Sequence, residues 1–96
     1  MTKQITYKNT SIEYPMSQKD KIITILALKG ENEEEYKICL RNLELLAKRV
    51  KIKEIWIPRG LNEEIYNILL TNGYKETILG IHPELRTKLI GMKKLL

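Results

Sequence analysis

Few side chains in this sequence could do chemistry. The 96 residues include one histidine, His82, and one cysteine, Cys39. A single histidine excludes a histidine-based metal cluster, and no Cys/His or Asp/Glu/His spacing supports a metal site. No Ser-His-Asp arrangement is suggested, and no G-x-x-x-x-G-K-S/T phosphate loop exists. Two weak acid or base candidates remain, Tyr66 and His82. His82 stands directly before Pro83, which suits a loop residue. Cys39 falls inside an apolar helical stripe and reads as a buried small hydrophobe. Without a second cysteine it forms no internal disulfide, so the fold does not depend on an oxidising compartment.

Charge is the stronger signal. Residues 31–35 read ENEEE, four glutamates within five positions, just before an apolar helical pattern begins. Each carboxylate near a helix N-terminus is stabilised by a few tenths to about 1 kcal/mol through the helix dipole. The same charges oppose any anion bound there. Basic residues form two groups along the sequence. Lys48, Arg49, Lys51 and Lys53 follow the long helical pattern, where the dipole favours cations. Arg86, Lys88, Lys93 and Lys94 lie beside the C-terminus. If the two groups adjoin in space, they form a surface for nucleic-acid phosphates. Interleaved exposed aromatics are few, so base stacking gains no support. The net charge of +5 points only modestly toward a polyanionic partner.

The elements that must position these groups follow from periodicity. QITYK puts Ile5 and Tyr7 on one face, NTS is turn chemistry, and SIEYP repeats the alternation with Ile12 and Tyr14. IITILAL (22–28) is continuous and β-branched, and reads as one central strand covered on both faces. Three strands with short connections predict an antiparallel meander. From Glu31 the period changes. Tyr36, Cys39, Leu40, Leu43, Leu46, Ala47 and Val50 recur at three and four, so residues 31–50 read as an amphipathic helix. Ile38 and Leu45, seven apart, widen its apolar face enough to suggest a helix shared with a partner.

KEIWIP (53–58) is a short strand reached through that helix, which implies a right-handed parallel crossover. Asn62 reads as an N-cap before Glu63 and Glu64, and Asn72-Gly73 as the end of a second helix. ETILGI (76–81) is a further strand. HPELRTKL (82–89) is either one helical turn from Pro83 or an irregular loop, and LIGMKKLL closes as a last strand. The expected class is α/β: a three-stranded antiparallel meander, then helix-strand-helix-strand-strand, in a mixed sheet. One small domain over residues 1–96 is expected. No run approaches 18 apolar residues and MTKQITYKN lacks a signal peptide's apolar core, so a cytoplasmic protein without a membrane partner is expected.

That order resembles the C-terminal two-thirds of the GNAT acetyltransferase family, over roughly residues 20–96. LRNLELLAKRVKIKEIWI (40–57) looks like the family's long helix running into its fifth strand. IYNILLTNGYKE (65–76) is similar to the next helix and its glycine-aromatic turn, and GMKKLL to the last strand. The resemblance implies acetyl-CoA binding at the start of the long helix, through an R/Q-x-x-G-x-G/A loop. Bare backbone donors at a helix N-terminus suit a pyrophosphate.

Here the pattern is degenerate. Counting back from Ala47, Glu31 takes the place of the arginine, and Asn32, Glu34 and Tyr36 those of the glycines. Gly30 alone does not restore a cradle. Leu69 stands where many members carry the tyrosine that protonates the leaving thiolate, and Tyr66 lies one turn earlier. The family's first strand and first two helices have no counterpart before Lys3.

The expected function is therefore a non-catalytic GNAT-like binding module that has lost acetyl-CoA. It is expected to act as a homodimer or with a protein partner through its N-terminal strands. Ile5, Tyr7, Ile12 and Tyr14 are expected near an uncovered apolar face. Two alternatives stand beside it. One is a minimal acetyl-CoA-dependent N-acetyltransferase using Tyr66 or His82, and the other is a nucleic-acid-binding module using the two basic groups.

Overall fold

The computed structural model describes residues 1–18, 20–58, 63–81 and 83–96, with the backbone alone at Leu89. Strands β1 (Thr2–Tyr7) and β2 (Thr10–Pro15) form a hairpin closed by Lys8 and Asn9. Next come β3 (Ile22–Thr24), β4 (Ala27–Lys29), α1 (Glu33–Arg49), β5 (Glu54–Pro58), α2 (Glu63–Thr71), β6 (Lys75–Ile81) and β7 (Lys88–Leu95). They build two sheets, ordered β1-β2-β4 and β3-β5-β7-β6. β3 pairs parallel with β5 through α1, the expected crossover, and the other pairings are antiparallel.

IITILAL is not one strand. Its first part joins β5 and its last part joins β2. The exchange happens between neighbouring residues: the Ile25 N–H donates to Trp56 O (2.8 Å), whereas the Leu26 N–H donates to Glu13 O (2.8 Å). A β-branched apolar run states that a segment is buried and extended; it carries no information about which neighbour each half pairs with. The meander survives as β1-β2-β4, with only residues 27–29 as its third strand.

Both helices pack on the same face of the sheets. Ile12 and Tyr14 of β2, Ile23 of β3, Ile55 and Ile57 of β5 and Met92 of β7 meet Cys39, Leu40, Leu43 and Ala47 of α1 and Leu69 of α2 in one cluster. This corrects the placement of the N-terminal apolar residues. Ile12 and Tyr14 are buried beneath α1, and Ile5 and Tyr7 pack against the same cluster. Strand alternation turns Gln4, Thr6, Ser11 and Glu13 to the opposite face. Apolar residues there include Ile22 and Trp56, both half-buried, and the exposed Leu26 and Leu95.

α1 starts two residues later than its periodicity suggests, because Asn32 is its N-cap. α2 ends as expected: Gly73 takes φ +90° and the Tyr74 N–H donates back to Leu69 O (3.0 Å). The Asn62 cap lies outside the described residues. Pro83–Leu85 form a turn without helix, and β7 begins at Lys88. Among the described residues, no helix is long and apolar enough to cross a membrane.

Candidate functional site at the start of α1

The residues between β4 and α1 satisfy one another. Asn32 Oδ1 accepts from the Glu35 N–H (3.0 Å), and Asn32 O accepts from the Tyr36 N–H (3.1 Å), which caps the helix from within. Glu35 Oε1 accepts from the Asn9 N–H (3.1 Å) and from Thr10 Oγ1 (3.1 Å), tying the first turn of α1 to the β1–β2 hairpin. The Tyr36 hydroxyl donates to Gly30 O (3.0 Å). Burial raises the Tyr36 pKa first, and the nearby Cys39 and Glu64 raise it further. Gly30 has a reason to be glycine that concerns no cofactor. It takes φ +143°, and a Cβ there would stand 2.4 Å from Thr10 Oγ1.

Two cavities flank this start. One of about 630 Å³ is lined by Asn9, Gly30, Glu31, Asn32 and Glu35. The other, about 400 Å³, is lined by Gly30, Glu31, Tyr36, Glu64, Ile65 and Ile68. Each therefore carries two carboxylates, and no lysine or arginine lines either one among the described residues. Glu64 comes from α2, so the second cavity gains a charge that counting along α1 could not reveal. Its signal in the sequence was the acidic first turn of the second helix.

The acid candidates lie elsewhere. Tyr66 donates from its hydroxyl to Glu76 Oε2 of β6 (3.0 Å) and lines neither cavity. That hydrogen bond to a carboxylate raises its pKa, which makes it a poorer acid. Leu69, at the position of the family's tyrosine, is 1% exposed and belongs to the core. His82 lies outside the described residues. Cys39 is buried with Sγ 3.7 Å from Thr10 O, and burial raises its thiol pKa, followed by Glu35. Among the described residues no group of His, Cys, Asp and Glu is placed to hold a metal ion.

The basic residues near the C-terminus do not form a patch. Successive residues of a strand point to opposite faces. Lys93 therefore meets Glu54 on the uncovered face (3.5 Å). Lys94 points among the helices, where its ammonium pairs with Glu44 of α1 and donates to Asn72 O just beyond α2 (2.8 Å). It also lies 5.6 Å from the centroid of the Tyr74 ring. Among the described residues the buried Tyr74 hydroxyl has no hydrogen-bond partner. Its pKa is raised, chiefly by burial and then by the Glu44 carboxylate.

Arg86 and Lys88 sit at the other end of β7, about 20 Å from Lys94 at the usual rise per residue. Lys48, Arg49, Lys51 and Lys53 remain exposed together near the end of α1. Sequence reasoning missed the Glu44–Lys94 pair. Its one signal was parity: Lys94 shares the inward face of its strand with Met92.

No protein-family model matches the chain, and no curated protein does. Two solved structures are similar to it. One is PaiA N-acetyltransferase from Thermoplasma acidophilum in complex with coenzyme A, at TM-score 0.65 and 19% identity, covering 92% of this chain and 54% of that one. The other is a protein of Lactobacillus plantarum assigned as an N-acetyltransferase, at TM-score 0.61 and 15% identity, covering 92% of this chain and 60% of that one. The chain spans a little over half the length of these neighbours, and over that span its fold is the fold of GNAT N-acetyltransferases.

Proposed function

We propose that this chain is a non-catalytic, GNAT-like binding module that does not use acetyl-CoA. It works as a homodimer or with a protein partner through its N-terminal strands. The observation carrying this reading is the set of carboxylates around the start of α1: Glu31 and Glu35 in one cavity, Glu31 and Glu64 in the other. A diphosphate seated there would meet like charge from both sides. Two unit charges about 5 Å apart repel by roughly 3 kcal/mol at an effective dielectric near 20. Asn32 already occupies the Glu35 N–H, and Glu35 itself holds the hairpin. Calorimetry and thermal unfolding with millimolar acetyl-CoA provide the test. No heat and no shift in Tm are expected; saturable heat at micromolar ligand would overturn the reading.

A second reading has its own support. A neighbour of the same fold is complexed with coenzyme A, which favours a minimal N-acetyltransferase. The same titration decides between the two, with acetyl transfer to a small amine as the further readout. The exposed Lys48, Arg49, Lys51 and Lys53 favour nucleic-acid binding instead. That reading requires affinity that falls steeply with salt and drops when Lys48 and Arg49 are replaced.

A further inference from the structure

We propose that two copies of this chain join edge to edge through β1, antiparallel about Gln4, into one continuous sheet. The inference rests on the reading of the chain as a binding module and names the partner as a second copy. β1 stands at the outer edge of its sheet. The Met16 N–H donates to Met1 O (3.2 Å), so the odd-numbered positions turn their backbone groups toward β2. By alternation Thr2, Gln4 and Thr6 present their N–H and C=O groups outward.

The other edges are less suitable. β3 and β4 have three residues each, and β6 is interrupted by a register shift between Ile78 and Gly80. Short or bulged edges resist pairing, whereas β1 is six residues long, regular and free of proline.

The strand is complementary to itself. A two-fold axis normal to the sheet at Gln4 sets Gln4 against the partner's Gln4, and Thr2 against the partner's Thr6. All three outward positions then fall in closely spaced pairs, which exchange about six backbone hydrogen bonds. Lys3 is the only charged residue in β1, and it lies opposite the partner's Ile5, so no like charges oppose one another. Met1, fully exposed in the single chain, comes to lie opposite the partner's Tyr7. The axis keeps the α1 face of one copy on the α1 face of the other. α1 packs across β1 and β2, and strands are spaced about 4.8 Å, so the two α1 helices come about 10 Å apart. That is an ordinary helix-packing distance, and it extends the interface beyond the strands.

Cross-linking of the full chain tests both the contact and its register. Opposed residues in a closely spaced pair have Cα atoms about 5.5 Å apart, within the range a disulfide spans. Gln4→Cys is expected to give a disulfide-linked dimer under mild oxidation. Thr6→Cys, equally exposed, is expected to stay monomeric because it faces Thr2. The native Cys39 is buried. In sedimentation, Gln4→Lys and Gln4→Glu should each weaken the dimer about fivefold, and an equimolar mixture should restore it.

A monomer at several hundred micromolar, or equal cross-linking at positions 4 and 6, would overturn the proposal. The two readings fail separately. Acetyl-CoA binding by a chain that still cross-links at Gln4 sinks the non-catalytic reading alone. A silent titration with no cross-link sinks the dimer alone.

Discussion

Glu31–Glu35 and Lys93–Lys94 are both runs of like charge, yet the fold treats them in opposite ways. At the start of α1, Glu31 and Glu35 of the run line one cavity together, and Glu31 shares the other with Glu64 of α2. On a strand, neighbours part. Lys93 and Lys94 go to opposite faces, and each is taken up by a different glutamate. A charge run is therefore a surface property on a helix end, and a dispersed one on a strand. This is why the acidic run bears on the proposed function while the basic pair bears on stability.

The comparison breaks most readily at the two lysines. Lys94→Ala leaves Glu44 poorly hydrated and without its cation, and removes the donor to Asn72 O. The side chains of the pair are 26% and 16% exposed, so the full cost of a buried pair does not apply. A loss of about 2–3 kcal/mol in urea unfolding is expected. Lys93→Ala removes a looser, better hydrated pair and should cost under about 0.5 kcal/mol. Equal losses would mean that strand alternation does not separate them.

A pH series sharpens the same contrast. Tyr74 lies beside the Lys94 pair, and its pKa in the folded chain is raised above the ordinary 10.0. As pH climbs past 10, the unfolded chain gives up this proton while the folded chain keeps it. The folded state then loses stability with rising pH. The slope approaches about 1.4 kcal/mol per pH unit and continues until the folded group also ionises. Tyr74→Phe should remove that component of the alkaline decline, measured by unfolding between pH 9 and 11.

The remaining test belongs to the acidic end. Asn32→Ala deletes the cap of α1 and should cost about 1 kcal/mol, read from the urea midpoint. It should not create acetyl-CoA binding, because the carboxylates remain. If freeing the Glu35 N–H alone produced saturable heat with acetyl-CoA, capping rather than charge would be what excludes the ligand.

Most of the fold was legible, and the reasons are local. Apolar spacing in α1, the Asn72-Gly73 stop and the alternation of β1 and β2 are each read within a few residues. What escaped was decided by distant partners. Nothing within IITILAL tells Ile25 to bond Trp56 and Leu26 to bond Glu13. The acidic site was legible in its α1 part, whereas Glu64 joins it only once α2 packs against α1. The apolar N-terminal residues were correctly read as strand residues. Their face was misjudged, because periodicity gives two faces without saying which one a helix covers.

The exchange of partners at Ile25 and Leu26 also bears on how the molecule opens. These adjacent amides are hydrogen-bonded to strands in different sheets. If the sheets came apart independently, the two amides would exchange their protons with solvent at different rates. If residues 22–29 lock the sheets into one cooperative unit, both would exchange only through global unfolding, at matching free energies. Two neighbouring hydrogen-exchange rates thus report whether this small chain melts as one body or as two.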